Sequence, residues 1–439
     1  MTRWQVLKAA FLGYGRLPAL TGRLFLPVGF IARLPFSMAP MGILVLVTYA
    51  TGSYSQAGLA AGAAAIGTAL SAALVGGLAD RLGQRPVLLV LAPLNGASLL
   101  AIVWAVAAGH RGAAVLVLCF ISGFTQPQVG PLARVRWLNL TQPGSRDINI
   151  AMSYESTADE LSFVFGPALI GIIAGIRPEL GLVTAGALSF LFVAWFALHP
   201  SAVATRELIK DGELNTPAAP SPTAAVKSRA KRKHSRGYEP NPLRRRLAPA
   251  IVTPALGMAA MGTFFGGNQA SITATADRWG AASAAGLLYA LMGFTAAIVA
   301  LGLVVLPERI TQVTRWRAAA FGLMCVTPLL MLPRTAVTMV PILLIVGLFV
   351  GPTMVTIFSV AGERAPAGLE GMVMTMLSGA TVVGNAIGSS IAGRIAESQG
   401  PNWSFGVSAL AAVGLFLAAM ASGWHGRSAR AEAASGSKN

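Results

Sequence analysis

The stretch that decides the fold reads GGLADRLGQRP and covers residues 76–86. It places three charged side chains and a proline between two long apolar runs, which cover residues 55–78 and 87–108. Gly83 permits a tight turn, and Gly76 lets the helix before the turn approach a neighbouring helix closely, as small residues do in membranes. This pattern predicts a short polar loop between two membrane-spanning helices.

Apolar runs of similar length recur along the whole chain. Of the 439 residues, 54% are hydrophobic and 11% are charged, and the mean hydropathy is +0.65. Soluble domains carry about 25% charged residues, so this chain has too little polar surface to form a water-soluble globule. A membrane helix needs about 20 mostly apolar residues, and twelve windows meet this requirement. The predicted spans are 24–51, 55–78, 87–108, 113–136, 149–175, 180–199, 248–272, 281–306, 317–333, 337–361, 371–396 and 404–424.

Between the sixth and the seventh span the composition changes abruptly. Residues 200–247 hold eleven Lys or Arg side chains against four acids, which is typical of a solvated linker. This linker separates two halves of six spans each, residues 24–199 and 248–424. We expect residues 1–23 to form a cytoplasmic segment, either an amphipathic helix on the membrane surface or a disordered tail. Residues 425–439 are predicted to be a cytoplasmic tail.

The formal net charge of +17 is explained by membrane topology. If both termini are cytoplasmic, the linker holds eleven bases, other cytoplasmic positions hold sixteen, and the outer ends hold five. Because Lys and Arg concentrate on the cytoplasmic side of membrane proteins, this distribution predicts cytoplasmic N and C termini. We expect the basic linker to contact anionic lipid headgroups, and we expect no nucleic-acid partner.

In this setting residues 76–86 resemble the signature of the major facilitator superfamily, roughly G-x-L-a-D-r-x-G-r-[RK] in the same cytoplasmic loop. The resemblance implies an all-α membrane protein of twelve transmembrane helices in two pseudo-symmetric six-helix bundles. It departs from the family at Gln84, where a base is usual. A solvated turn that carries positive-inside charge is the alternative interpretation.

The resemblance also implies a conformational role for the loop. Asp80 is expected to meet the start of the eleventh span near Gly371, held there by charge–dipole attraction. Loss of this latch favours the inward-open state in the family. The candidate gating residues of the loop are Gly76, Asp80, Arg81, Gly83 and Arg85.

Span five carries a second resemblance, to the exporter signature of the superfamily. The stretch SFVFGPALIG covers residues 162–171 and contains Gly166 and Pro167, whose missing hydrogen bond is expected to bend the helix. Ser162 and Ile170 replace glycines of the signature. In span four, the stretch at residues 124–130 lacks the buried arginine that is typical of proton-driven drug exporters.

Ionisable groups inside the membrane cost about 2.5–3.5 kcal/mol each on insertion scales, so each needs an explanation. Arg33 lies within span one, and span five carries Glu155, Asp159 and Glu160. Arg33 and Asp159 lie at similar depth, which predicts a pair of Arg33 with Asp159 or Glu160. Glu155 is shallower and is expected to meet Arg134 or Arg136.

These intramembrane charges have three possible roles. The acids of span five either form fixed ion pairs that hold helices in register, or exchange the coupling proton, or contact a charged substrate directly. A small-molecule substrate and a coupling proton are the expected partners.

Spans one, four, seven and ten usually line the central cavity of the superfamily. Their polar and methionine side chains suit an amphipathic or lipophilic solute better than a sugar. The candidate cavity residues are Met38, Met41, Gln126, Gln128, Asn268, Gln269, Thr353 and Thr356.

The function predicted from the sequence is secondary active transport of a small amphipathic solute by alternating access, with proton-coupled export favoured. The alternatives are uptake by symport or facilitated diffusion, and a receptor or scaffold that keeps the fold without transporting. No phosphate-binding loop, catalytic arrangement or metal-ligand spacing occurs, so we expect neither an enzyme nor a cofactor or metal site. The Ala-, Gly- and Arg-rich composition favours a bacterial cytoplasmic membrane, and the resemblance to the superfamily implies a monomer.

Overall fold

The computed structural model of the chain is almost entirely helical. Within the residues that it describes there is no β-strand. The described residues are 13–142, 145–202, 242–280, 285–306, 309–366 and 368–436.

Six long helices form the first half. Their bounds are α1 Phe25–Thr51, α2 Tyr54–Leu82, α3 Gln84–Ala107, α4 Ala113–Leu140, α5 Arg146–Ala174 and α6 Pro178–Leu198. Six further helices form the second half. Their bounds are α7 Pro242–Arg278, α8 Ala285–Val305, α9 Gln312–Val326, α10 Ala336–Arg364, α11 Glu370–Ser398 and α12 Pro401–Gly436.

Ten of these twelve helices are long and apolar enough to cross a membrane. Of the other two, α9 has only 15 α-helical residues before a 3-10 turn at Thr327–Met331. The predicted all-α fold of twelve helices in two halves is confirmed.

Two predicted spans are interrupted near their polar residues. Helix α1 is broken between Ile31 and Leu34, and Pro35 occupies the first turn of its second part. Helix α4 is broken between Phe124 and Val129. Proline lacks a backbone N–H and cannot continue a helix ladder, so Pro35 and Pro127 explain the breaks. Non-helical backbone at membrane depth is tolerated where protein covers it.

The two halves meet along a limited set of helices. Contacts join α2 to α11, α5 to α8 and α10, and α4 to α11. We define the linker end of the molecule as the end where α2 finishes at Leu82 and α6 at Leu198, and the far end as the opposite one. The polar contacts between the halves include the Gln312 amide donating to Asn149 at 2.7 Å and the Tyr14 hydroxyl donating to the Leu301 carbonyl at 2.7 Å. These contacts lie at the linker end.

The terminal and linker regions are only partly described. The first described residues form two short helices, Gly13–Arg16 and Leu17–Thr21. Residues 203–241 lie outside the described residues, and with them most of the predicted lipid-binding linker. Helix α12 continues to Gly436, through most of the predicted tail, in a stretch rich in the helix formers Ala and Arg.

Candidate conformational and ion-pair sites

Four charged side chains of α1, α4 and α5 form one buried group, which we call the ion cluster. Arg33 on α1 forms a hydrogen-bonded ion pair with Glu155 on α5. The Arg33 Nε atom lies 3.4 Å from Asp159 Oδ1, and Arg134 Nη1 on α4 lies 2.8 Å from Asp159 Oδ2. Asp159 therefore bridges two arginines from two different helices.

The sequence of α5 explains why both acids point the same way. Glu155 and Asp159 are four residues apart and therefore lie one above the other on one face of the helix. Arg33, Arg134 and Glu155 are buried, and the Asp159 side chain is 16% exposed. Two cations and two anions compensate each other, which offsets the cost of taking these charges out of water.

Neighbouring residues complete the surroundings of the ion cluster. The Trp137 indole donates to Glu155 Oε1 at 2.6 Å, and Arg134 donates to the Ser156 hydroxyl at 3.3 Å. A methyl group at Gly130 would lie 2.8 Å from Asp159 Oδ1, so only glycine leaves room for that carboxylate. Trp137, Ser156 and Gly130 were not among the residues predicted from the sequence, although Gly130, Arg134 and Trp137 recur at helical spacing along one face of α4.

The ion cluster also touches the second half of the molecule. The Arg134 guanidinium lies 3.8 Å from the centroid of the Phe358 ring on α10. A cation above an aromatic face is attracted by the ring quadrupole, more strongly when water is excluded. The interaction couples the charge of the first half to a helix of the second half.

One expected pairing is wrong, that of Glu155, whereas the expected pairing of Arg33 with Asp159 or Glu160 is present as the contact with Asp159. Glu155 contacts Arg33 and Trp137 rather than Arg134 or Arg136. The break in α1 explains this, because it redirects the helix at Arg33. Glu160 makes no ion pair within the described residues, since it lies on a different face of α5 from the ion cluster.

Arg136 occupies a second buried polar site near the linker end. Its guanidinium donates to Gln84 Oε1 at 2.8 Å, to the Phe196 carbonyl at 3.0 Å and to the Ser201 hydroxyl at 3.0 Å. It also lies 3.8 Å from the centroid of the Phe196 ring. No carboxylate pairs with Arg136 among the described residues, so acceptor oxygens and aromatic faces hold this buried cation. Gln84 also donates to the Leu132 carbonyl at 3.1 Å.

Gln84 therefore suits its buried position better than a base. Its side chain supplies the acceptor that Arg136 needs, and neither lysine nor arginine has an acceptor atom. The departure from the family signature at this position is compensated by Arg136.

Asp80 forms the latch between the two halves. Its two carboxylate oxygens accept the backbone N–H groups of Gly371 and Met372 at 2.8 Å each. These are among the first N–H groups of α11, where the helix dipole favours an anion. A side chain at Gly76 would overlap Thr375 and the Gly371 carbonyl, so α2 and α11 approach as only glycine permits.

The remaining candidate gating residues have varied surroundings. Gly83 has φ +89° and closes α2, a conformation that L side chains rarely adopt. Arg81 and Arg85 are exposed. A side chain at Gly166 would overlap Ser37 of α1, and α5 stays helical through Pro167.

The candidate cavity residues are not brought together into one polar surface. Met38 is fully buried in an apolar cluster of the first half, which Met41 borders. Thr353 and Thr356 donate to carbonyls of their own helix at 2.7 Å each. Gln269 is exposed.

Three amides of that set have contrasting environments. Gln126 accepts from Asn95 at 3.4 Å. Gln128 and Asn268 are fully buried, and their amide atoms have no hydrogen-bond partner in the part of the chain that the structure describes. Buried amides of this kind are costly unless a ligand, water or second conformation satisfies them.

The family model of the Major Facilitator Superfamily matches residues 25–378. The chain belongs to this superfamily. Members of the superfamily are membrane transporters, and membership assigns the chain to secondary transport across a membrane. Within the described residues, no group of three or more His, Cys, Asp or Glu side chains is arranged to hold a metal ion.

Solved superfamily structures share the fold at low sequence identity. The human organic anion transporter MFSD10 (TETRAN) has a TM-score of 0.62 and 20% identity, and the match covers 95% of this chain and 100% of that one. An outward-facing bacterial homologue of the iron transporter ferroportin has a TM-score of 0.63 and 14% identity, with 90% and 97% covered. A variant of the E. coli fucose:proton symporter FucP has a TM-score of 0.54 and 17% identity, with 90% and 98% covered. No curated protein matches the sequence significantly.

The latch makes a first testable prediction. Asp80→Asn removes the charge at the α11 N-terminus, an effect worth about 1 kcal/mol, and should raise the open population at the linker end about fivefold. The measurement is the rate of maleimide labelling at Thr375→Cys, a buried position beside Gly76. The cysteine-free background for this and later experiments carries Cys119→Ser and Cys325→Ser.

Glu370→Gln is the matched control for the latch. Glu370 also lies at the α11 N-terminus, but it accepts a hydrogen bond from Gly368 on its own side of the contact. The Glu370→Gln variant should therefore be labelled at nearly the same rate as the parent. Equal labelling of the Asp80→Asn variant and the parent would contradict the latch.

The Arg136 site makes a second prediction. Gln84→Arg restores the usual family base, yet it should destabilise the protein by at least about 2 kcal/mol, because Arg136 loses an acceptor and gains a like charge. The melting temperature of the purified protein in detergent measures this effect. Arg85→Gln, at an exposed neighbouring position, should have little effect. The explanation is wrong if Gln84→Arg melts at the parent temperature.

Proposed function

We propose that this chain exports a small amphipathic or lipophilic solute in exchange for protons. In this proposal it is a monomer in a bacterial cytoplasmic membrane, with both termini in the cytoplasm. The two halves rock about a central site and expose it alternately to the two sides of the membrane.

The observation that carries the proposal is the set of three carboxyl groups on α5. Glu155, Asp159 and Glu160 all lie inside the molecule, and Arg33 and Arg134 neutralise two of them. Buried carboxyl groups are costly, and in membrane transporters they mark proton and substrate pathways. A receptor or scaffold would have no use for a third acid without a cation.

The nature of the solute is inferred from the cavity candidates. Met41 supplies adaptable apolar surface beside the first-half cluster, while Gln128 and Asn268 supply buried amides that a solute can satisfy. Few polar groups on an apolar wall suit an amphipathic molecule, because a sugar requires a denser set of hydrogen bonds.

The sequence supports the topology. The charge count places most bases on the cytoplasmic side when both termini are cytoplasmic. The basic linker at residues 200–247 would then lie beside anionic lipid headgroups.

Flux measurements in liposomes test this function. Purified protein is first screened by thermal shift against tetraphenylphosphonium, deoxycholate and chloramphenicol, which are a cationic, an anionic and a neutral amphiphile. A stabilising compound is then followed under an imposed pH difference. Exchange with protons predicts that the compound accumulates in the more acidic compartment. Accumulation in the alkaline compartment would indicate symport and contradict export by exchange.

Variants of the three acids test the coupling. At least one of Glu155→Gln, Asp159→Asn and Glu160→Gln should abolish accumulation driven by the pH difference. Glu397→Gln, which changes an exposed glutamate on α11, should retain it. If all three variants still accumulate the compound, the α5 acids do not carry the proton.

A further inference from the structure

Glu160 differs from the two acids of the ion cluster in the direction it faces. It lies on α5 between Thr157 and Val164, which both contact α8 of the other half. The Thr157 hydroxyl donates to the Ala297 carbonyl at 3.3 Å, and a methyl group at Gly293 would lie 2.9 Å from Val164. We call these facing surfaces of α5 and α8 the α5–α8 seam.

Within the seam, Glu160 is buried without compensation. Glu160 is only 5% exposed, and its Oε1 atom has no hydrogen-bond partner among the described residues. The ion cluster already uses both nearby arginines, Arg33 and Arg134, for Glu155 and Asp159.

The other ionisable groups around Glu160 do not supply a cation. Asp159 on its own helix repels a negative charge there, and the Tyr289 hydroxyl of α8 is a neutral group within electrostatic range. The remaining charged residues of the helices packed against α5 lie away from the seam. They are Glu363 and Arg364 at the linker end of α10, Arg136 at the linker end of α4, Glu179 at the far end of α6, and the exposed Arg16 of the short helix Gly13–Arg16 at the linker end.

An ionised carboxylate is therefore incompatible with the closed seam. An isolated charge in an apolar interior is much more costly than the neutral acid, so a buried group without a partner takes up a proton. When the two halves separate at the linker end, water reaches α5 and solvates the carboxylate. Closure of the seam and protonation of Glu160 are thus linked by thermodynamic necessity.

We propose that Glu160 binds the coupling proton and that its protonation state sets whether the α5–α8 seam is closed. The Glu160 carboxylate becomes a neutral carboxylic acid as the seam closes, by taking a proton that reaches it from the far end, which is open when the linker end is closed. The proton passes to water at the linker end when the seam opens, so one proton crosses per cycle and no other bond changes. This inference deepens the proposed function and rests on it for the solute that moves in return, while the linkage itself requires no solute.

The ion cluster is less suited to this role. Its two acids already have two arginine partners, and protonating either acid would leave a buried cation without compensation. Glu160 gains or loses a proton without disturbing those pairs. The structure thus separates three adjacent carboxyl groups into two that are fixed and one that is free.

Distances between two spin labels test the proposal without any solute. In the cysteine-free background, Arg146→Cys at the start of α5 and Arg309→Cys between α8 and α9 carry the labels. Both positions are exposed and lie at the linker end of the seam, where Gln312 contacts Asn149. Double electron–electron resonance in lipid nanodiscs at pH 5 to pH 9 then measures the open and closed populations.

The labelled parent should shift from short to long distances as the pH rises. The ratio of open to closed molecules should change by at most about tenfold per pH unit, because one proton is linked. Glu160→Gln, a neutral mimic of the protonated acid, should remain at the short distance throughout. Glu397→Gln on α11 should shift as the parent does.

Two outcomes overturn the proposal. One is a parent whose distances do not depend on pH, and the other is a Glu160→Gln variant that shifts with pH as the parent does. Failure of the proposed function gives a different result from failure of this proposal. In that case solute flux does not depend on the pH difference, while the label distances still depend on pH and on Glu160.

Discussion

The first half of this molecule depends on neutralising two buried guanidinium groups. Arg33 and Arg134 come from different helices, and each finds its counter-charge on α5. An unpaired charge at this depth would cost several kcal/mol, so the three helices must keep this register for the half to fold. The break in α1 and the missing side chain at Gly130 are local adjustments that allow it.

The same helix also contacts the second half. One face of α5 is held by the ion cluster, and another packs on α8 with Glu160 between them. At the same end of the molecule, Asp80 of α2 accepts two N–H groups from the start of α11. The Asp80 contact is electrostatic, whereas the α5–α8 contact consists of close packing around Glu160. Together they join the two halves, which is the arrangement needed for two rigid halves to rock against each other.

Local patterns in the sequence predicted much of this arrangement. Apolar windows gave the twelve helices, and the family resemblance of the D-R-x-G loop implied that Asp80 meets the eleventh span near Gly371. Matching depths in the membrane predicted that Arg33 meets Asp159 or Glu160, and the partner is Asp159. Each of these features depends on spacing along one helix or on a loop of a few residues.

The remaining features depend on how helices pack and bend. The partners of Glu155 differ from the predicted ones because α1 bends at Pro35. The rotation of one helix against another cannot be obtained from spacing along the sequence alone. Arg136 and Gln84 are 52 residues apart, and nothing local in either segment indicates the other. Spacing along α5 does not distinguish Glu160 from Glu155 and Asp159, and only its packing against α8 does so.

A double-mutant cycle in the ion cluster tests the central claim most directly, namely that Asp159 is a fixed partner of Arg134. Thermal unfolding in detergent compares Arg134→Met, Asp159→Asn and the double variant. Each single substitution leaves a buried charge with too little compensation, so the account predicts a double variant that melts above at least the more damaged single variant, with a coupling free energy of about 1–3 kcal/mol. Additive losses, with the double variant melting below both single variants, would contradict the claim.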